Sequence, residues 1–275
     1  MATRKPGSGD KSPIFIPGNG PAVLCLHGFT STPYEVAPLA RGLASAGFFV
    51  SAPMLAGHGE SPTILAATRW QDWLASAEAA FDRLRTAAGE KPVALAGFSM
   101  GGLLALRLAR LHRQNISSIV LMSVPLHLHK WQIVVARAWT HLPAFLRRGW
   151  LATIRKRGGS DVTDEQVRSE NPAFNEMPLA GIVELIELAA VVRRDLPFIH
   201  QPALVAHGEL DRTVALQTSV ELADSLASTI VERLWLPRSG HLIAVDVEQA
   251  QLCQAVVSFL SQHQDSGTVI HESGP

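Results

Sequence analysis

Cysteine is scarce in this chain: Cys25 and Cys253 are the only two among 275 residues. One falls in a predicted strand and the other in a predicted terminal helix. That placement argues against a disulfide framework or a cysteine metal site and reads as two buried apolar residues. An uninterrupted apolar run of about 18 residues is also missing, so no membrane-spanning helix is expected, and Met1 to Asp10 is polar, without the apolar core of a secretory leader. A soluble, cytoplasmic protein is the expectation. Neither sign of charge is in excess, with 24 Lys plus Arg against 24 Asp plus Glu, so composition offers no argument for a nucleic acid or another polyanion as partner. Internal repeats and low-complexity tracts are absent too.

Core-forming material is plentiful. Hydrophobic residues make up 47% of the chain, enough at this length for one α/β domain. Short apolar runs at Ala22 to Leu26, Gly47 to Pro53, Pro92 to Phe98, Ser118 to Ser123, Ala203 to His207 and Val231 to Leu236 read as strands, with Ile14 to Ile16 as a short edge strand. Helical patterns lie between them, over Pro33 to Ala46, Trp70 to Ala88, Met100 to Arg113, Val214 to Ala227 and Val245 to Ser261. Alternation of this kind predicts an α/β fold with a mainly parallel sheet flanked by helices. Residues 125–197 break the rhythm, showing helical and loop pattern but no good strand. An insertion there would overhang the C-terminal ends of the strands, where parallel sheets bind ligands, and is expected to form a helical cap. The predicted division is a core of residues 13–124 and 198–262, a cap of 125–197, and mobile ends at 1–12 and 263–275.

The stretch Leu95-Ala96-Gly97-Phe98-Ser99-Met100-Gly101-Gly102 joins a predicted strand to a predicted helix. A serine on that turn has a strained backbone that exposes its hydroxyl, and Gly97 and Gly101 lack the side chains that would collide in so sharp a bend. The helix beginning after Ser99 turns unpaired N–H groups and a positive dipole end toward any negative charge forming beside the hydroxyl. A bare Gly-x-Ser-x-Gly also fits a small residue packing a helix on a sheet, but the strand-to-helix setting favours a nucleophile.

A serine hydroxyl is weakly nucleophilic near neutral pH and needs a base, and the base needs an orienting group. Asp211 lies in the loop after the strand ending at His207, and His241 in the loop after the last strand. Glu209 is the nearest rival for the acid, while Asp246 falls inside the predicted terminal helix. Acyl transfer also requires donors for an oxyanion. The backbone N–H groups of Met100, directly after Ser99, and of Phe29, in the loop after the Ala22 to Leu26 strand, are the candidates. The Phe29 ring reads equally as a core aromatic, which the backbone role permits.

Together, His27-Gly28-Phe29, Gly57-His58-Gly59, Gly97-Phe98-Ser99-Met100-Gly101, Gly208-x-x-Asp211 and Ser239-Gly240-His241 resemble the α/β-hydrolase superfamily, whose chain order of Ser, Asp and His they share. Within it the likeness is to small bacterial carboxylesterases and monoacylglycerol lipases, over residues 20–124 and 198–262. The resemblance implies an α/β-hydrolase fold and an ester-cleaving serine hydrolase acting on a small-molecule ester, with Ser99, Asp211 and His241 as triad and no cofactor. It makes His58 a loop-shaping residue. Ser99-Met100-Gly101 also occurs in members that make peracids or cleave carbon–carbon bonds, and a non-catalytic ligand- or lipid-binding protein is a further alternative.

The proposed cap carries no transferable motif, but its composition is unusual. Between Pro125 and Ser160 there are seven basic residues, Lys130, Arg137, Arg147, Arg148, Arg155, Lys156 and Arg157, no Asp or Glu, and three interleaved tryptophans, Trp131, Trp139 and Trp150. Such a segment can lie on an anionic lipid surface. Alternatively its apolar residues line an acyl pocket while the cations are solvated or pair with Asp161, Asp164 and Glu165. His127-x-His129 lacks a third ligand at metal spacing, so no metal is expected.

Overall fold

The computed structural model describes residues 7–143, 145–147, 152–156 and 159–264. Its strands are β1 (Ile14–Ile16), β2 (Ala22–Leu26), β3 (Phe49–Ala52), β4 (Val93–Phe98), β5 (Ile116–Met122), β6 (Thr153–Arg155), β7 (Glu176–Pro178), β8 (Ala203–Gly208) and β9 (Val231–Leu236). Its helices are α1 (Ala37–Ser45), α2 (Pro62–Ala66), α3 (Trp70–Ala87), α4 (Met100–Leu111), α5 (Lys130–Thr140), α6 (Glu165–Glu170), α7 (Leu179–Asp195), α8 (Leu216–Ser225) and α9 (Gln249–Gln262). The main sheet has seven strands in the order β1-β3-β2-β4-β5-β8-β9. Only β1 runs antiparallel, against β3; the other neighbours are parallel, as the alternating pattern implied.

β2, β4, β5 and β8 are buried along their whole length, so their sequences are continuous apolar runs rather than alternations. Successive residues still serve opposite faces. Leu24, Leu26, Leu95, Ile119 and Leu121 join Trp73 and Phe81 of α3 and Leu104 of α4 in one core. Val23, Cys25, Val50, Ala96 and Val120 join Leu39 and Leu43 of α1 and Val256 and Phe259 of α9 in the other. Cys25 is buried as expected, whereas Cys253 on α9 is partly exposed.

Residues 125–197 connect β5 to β8. They are not purely helix and loop: β6 and β7 form a separate antiparallel pair, with Ile154 opposite Met177. Three-residue strands are too short to display a period of two, and Pro178 at the end of β7 further masks them. α7 spans two environments. Leu179 and Ile182 pack with Ala136 of α5, while Leu185, Leu188, Ala189 and Val192 join the α3–α4 core.

Two local elements differ from the sequence reading. α2 lies between the predicted strand at Gly47 to Pro53 and the predicted helix at Trp70 to Ala88, where the sequence reading places no helix, its N-terminus capped by Ser61 Oγ, which accepts from the Ile64 N–H at 3.2 Å. α9 starts only at Gln249, so residues 241–248 form a structured loop and not the beginning of the helix. Residues 1–6 and 265–275 of the predicted mobile ends lie outside the described residues, as do Arg148, Trp150 and Arg157 of the basic segment. Within the N-terminal stretch, the N–H groups of Gly7 and Gly9 donate to the carbonyls of Ser169 and Glu170 on α6, each at 2.9 Å. No helix among the described residues is long and apolar enough to cross a membrane.

Candidate active site

Ser99 occupies the turn between β4 and α4 with φ 52° and ψ −118°. For a residue other than glycine such a backbone costs on the order of 1–3 kcal/mol and persists only when its surroundings enforce it. The Ser99 N–H donates to the Met122 carbonyl of β5 at 2.8 Å, anchoring one side of the turn. Close packing anchors the other: a methyl group on Gly97 would lie 2.6 Å from the Gly102 Cα, and one on Gly101 would strike the Leu26 and His27 backbone.

Ser99 Oγ lies 3.1 Å from His241 Nε2, and His241 Nδ1 lies 2.8 Å from Asp211 Oδ2. Three residues predicted from separate loops therefore meet in one line. Asp211 Oδ1 accepts the N–H groups of Thr213 and Val214, both at 2.8 Å, so the carboxylate is held from its own loop as well. Gly208 lets the end of β8 lie against the His241 loop, since an added methyl would come within 2.9 Å of the Ser239 carbonyl carbon. Glu209 is exposed and does not join the group. Burial opposes the charge on Asp211, but the charges and hydrogen bonds of His241, His207 and the Val214 N–H prevail and hold its carboxyl below the usual range. Burial likewise opposes the charge on His241; Asp211 outweighs it, with help from Asp161 and Glu35, and raises the imidazole above its ordinary value.

Phe29 lines the same cavity as Ser99, and Met100 follows Ser99 as the first residue of α4. Among the described residues no hydrogen bond takes up the N–H of either. The Phe29 ring packs against Trp73 with centroids 5.6 Å apart and against His58 at 6.1 Å. Gly181, in the second position after Leu179 at the start of α7, comes so near that a methyl group there would sit 2.6 Å from the tip of the Phe29 ring. His58 is buried, bonds through Nδ1 to the Ala56 carbonyl at 2.9 Å and makes no hydrogen bond with the triad. Burial pushes its pKa down to about 4, so it stands as a neutral wedge shaping the loop.

Several contacts are invisible in sequence order. Asp246, placed by the helical pattern in the terminal helix, instead sits fully buried in the 241–248 loop. It accepts N–H groups from Thr163, Asp164, Gly240 and Val247, tying the His241 loop to residues 163–164 of the insertion. Asp161 pairs with Arg212, at 3.6 Å, and among the described residues not with the insertion's own cations. Asp164 caps α6 through the N–H groups of Gln166 and Val167. His127 and His129 are drawn apart, His127 to Glu221 at 2.9 Å and His129 to the Arg212 carbonyl at 3.3 Å. Glu35 and Lys156 also reach the site region. Glu35 is buried with an unpaired Oε2, and burial raises its pKa. Burial lowers that of Lys156, whose Nζ donates to Thr30 Oγ1 at 2.6 Å.

The core and residues 125–197 enclose a cavity of about 700 Å³ that reaches Ser99 and His241. Phe29, Phe98, Leu128, Trp131, Ile154, Met177, Leu185 and Leu242 line it, with Thr30, Glu35, Lys156, Ser160 and Asp161 as polar wall. Its size is ordinary for a small-molecule site.

A family model described as serine aminopeptidase, S33, matches residues 19–248. The chain belongs to this S33 family. One relative, the thermostable monoacylglycerol lipase of Bacillus sp. (strain H-257), is 30% identical, with 90% of this chain and 94% of the relative covered. The carboxylesterase of Bacillus subtilis (strain 168) is 27% identical, with 91% and 96% covered. A solved structure from the metagenome-derived lipolytic enzymes LipS and LipT superposes with a TM-score of 0.83 at 28% identity, covering 92% of this chain and 98% of that one. This S33 member is therefore an enzyme, an α/β-hydrolase of the carboxylesterase and monoacylglycerol lipase kind, as its motifs implied.

Proposed function

We propose that the protein hydrolyses carboxylic esters with an apolar acyl chain, monoacylglycerols among them, through a serine acyl-enzyme. The observation carrying this reading is the alignment of Ser99, His241 and Asp211 beside a largely apolar cavity. Ser99 Oγ attacks the ester carbonyl carbon as His241 Nε2 takes the hydroxyl proton, and Asp211 keeps the imidazole oriented while it carries charge. The carbonyl oxygen becomes an oxyanion facing the N–H groups of Phe29 and Met100, dipoles oriented before the charge forms. Collapse breaks the bond to the alcohol, which leaves with the proton from His241. Water, deprotonated by the same imidazole, then attacks the acyl carbon and releases the acid and Ser99. Residues 125–197 act in this reading as a cap whose Leu128, Ile154, Met177 and Leu185 receive the acyl chain.

Initial rates on p-nitrophenyl esters of increasing acyl length, with monoacylglycerols alongside, test this. Each methylene withdrawn from water contributes about 0.8 kcal/mol, roughly fourfold in kcat/KM, so efficiency should climb with length and fall once the chain outgrows the cavity. Preference for acetyl over all longer esters would sink the acyl-pocket reading. Ser99→Ala should lower turnover on the order of a thousandfold or more with the fold intact, and unchanged turnover would remove Ser99 as nucleophile. A perhydrolase or carbon–carbon hydrolase would share the triad and differ only in its products.

Contact with a lipid surface is a second reading with its own support. Trp131 is 51% exposed, and Val134, Val135, Phe145 and Leu146 are exposed with it. Lys130 and Arg137 are exposed on the same helix as Trp131. Apolar side chains among cations suit an anionic headgroup layer. Replacing Lys130 and Arg137 by glutamate should weaken binding to anionic vesicles at low salt while sparing hydrolysis of a short soluble ester. If the wild type binds no vesicles, this reading is wrong.

A further inference from the structure

A second imidazole reaches the carboxylate that orients His241. His207, near the end of β8, is fully buried, the one imidazole in an otherwise apolar strand. Its Nε2 lies 3.3 Å from Asp211 Oδ2, the oxygen that also faces His241 Nδ1 at 2.8 Å, and 3.1 Å from the Val214 carbonyl oxygen. Its Nδ1 faces Ser219 Oγ at 2.8 Å, and Ser219, on α8, is fully buried as well. These partners determine the tautomer. A carbonyl and a carboxylate only accept, so Nε2 carries the proton and Nδ1 accepts the Ser219 hydroxyl.

We propose that His207 is a positioning residue for the hydrolysis, held by Ser219 and the Val214 carbonyl so that its Nε2–H edge lies beside Asp211 Oδ2 and sets both the direction and the basicity of that carboxylate. The proposal rests on the reading of Ser99, His241 and Asp211 given above. With Oδ1 already bonded to two backbone N–H groups, the remaining freedom of the carboxylate is a swing of Oδ2, and buried His207, 3.3 Å from that oxygen, limits it. The N–H edge also matters electronically. An oxygen with the positive end of a second N–H dipole 3.3 Å away is less basic than one facing His241 alone, and it holds the imidazolium proton less tightly. Removing His207 would therefore leave His241 protonated to higher pH. The charged groups that face His207 are Asp211 and His241. Asp161 and Glu35 act on His241 from other elements, Arg212 pairs with Asp161, and a change at His207 leaves all three in place.

The test measures inactivation by a fluorophosphonate as a function of pH, together with kcat and KM on a soluble ester, for the wild type, His207→Leu, His207→Gln and Ser219→Ala. The fluorophosphonate reports activation of Ser99 whatever the preferred ester. In His207→Leu, kcat and the inactivation rate should fall about tenfold with KM within about twofold, the pattern of an interaction felt in the transition state. The acid limb of both profiles should move up by roughly half a pH unit, a displacement that damage to packing alone would not produce. Glutamine offers an amide N–H to Asp211 and an amide oxygen to Ser219, and should restore the limb. Ser219→Ala should move it in the same direction by less. A folded His207→Leu with wild-type limb and kcat overturns the proposal. Should that variant not fold, a Ser219→Ala profile superimposable on the wild type overturns it instead. A wild type that fluorophosphonate does not label removes the triad reading, and this proposal with it; a labelled wild type with unmoved variants removes the role of His207 alone.

Discussion

Replacing Asp246 by asparagine should loosen the loop that presents His241 without altering any member of the triad. Asp246 Oδ2 accepts the Gly240 N–H at 2.7 Å and shares that of Thr163 at 2.9 Å, and Oδ1 accepts those of Asp164 at 3.0 Å and Val247 at 2.8 Å. An amide keeps one of the two oxygens. With that oxygen at the Oδ1 position, the Gly240 N–H faces an NH2 group. One hydrogen bond to a charge is then lost, about 1.5–3 kcal/mol, and a buried donor is left unpaired, about 1–3 kcal/mol. Turning the amide over strands the Asp164 and Val247 donors and is no better. A loss of about 3–5 kcal/mol from a mid-range total of about 10 kcal/mol leaves a folded protein whose urea midpoint drops by roughly a third to a half, with the slope unchanged. Because Gly240 precedes His241, kcat should also fall, on the order of tenfold, from misplacement of the base. Urea unfolding followed by tryptophan fluorescence, with kcat on one soluble ester, reads both effects. A change below about 1 kcal/mol with wild-type kcat would refute the argument that Asp246 holds this loop.

Two other changes have definite expected signs. Asp211→Asn should lower kcat on the order of ten-thousandfold by leaving His241 in the wrong tautomer, while Glu209→Gln stays within about twofold; the reverse result would move the acid to Glu209. Because the folded protein raises His241 above its ordinary 6.5, and the base must be neutral to act, the acid limb of kcat/KM should lie above pH 6.5. A limb at or below that value would contradict the assignment. The same shift stabilises the fold, fully so below about 6.5 and progressively less as pH rises through the folded-state pKa, so this contribution fades as activity appears.

What was legible in the sequence was whatever neighbouring residues dictate. The strand, Gly97, Ser99, Gly101 and the helix are contiguous, so the strained turn could be read directly. Asp211 and His241 follow predicted strands, and a parallel sheet brings the ends of its strands together. The misses are contacts made across the chain. Asp246 continued an apolar spacing into α9, yet the backbone donors it serves come from residues 163–164 and 240, which no local pattern relates to it. Asp161 was matched with cations near it in sequence, whereas the fold brings Arg212 closer. β6 and β7 are held by pairing with each other and too short to declare a period. His207 did carry a signal, a histidine in an apolar run, but its meaning depended on Asp211 and Ser219 arriving beside it.

With Phe29 as the proposed oxyanion donor, its ring contact with Gly181 would make catalysis sensitive to a position outside the triad. The ring cannot retreat freely, being backed by Trp73 and His58. A single added methyl on α7 must therefore displace either the helix or the loop that carries Phe29, the proposed oxyanion donor. On the proposed oxyanion role, a larger residue on this helix face is expected to slow the chemistry and not to weaken binding, so this point of the insertion answers to the geometry of an oxyanion and not to the shape of an acyl chain.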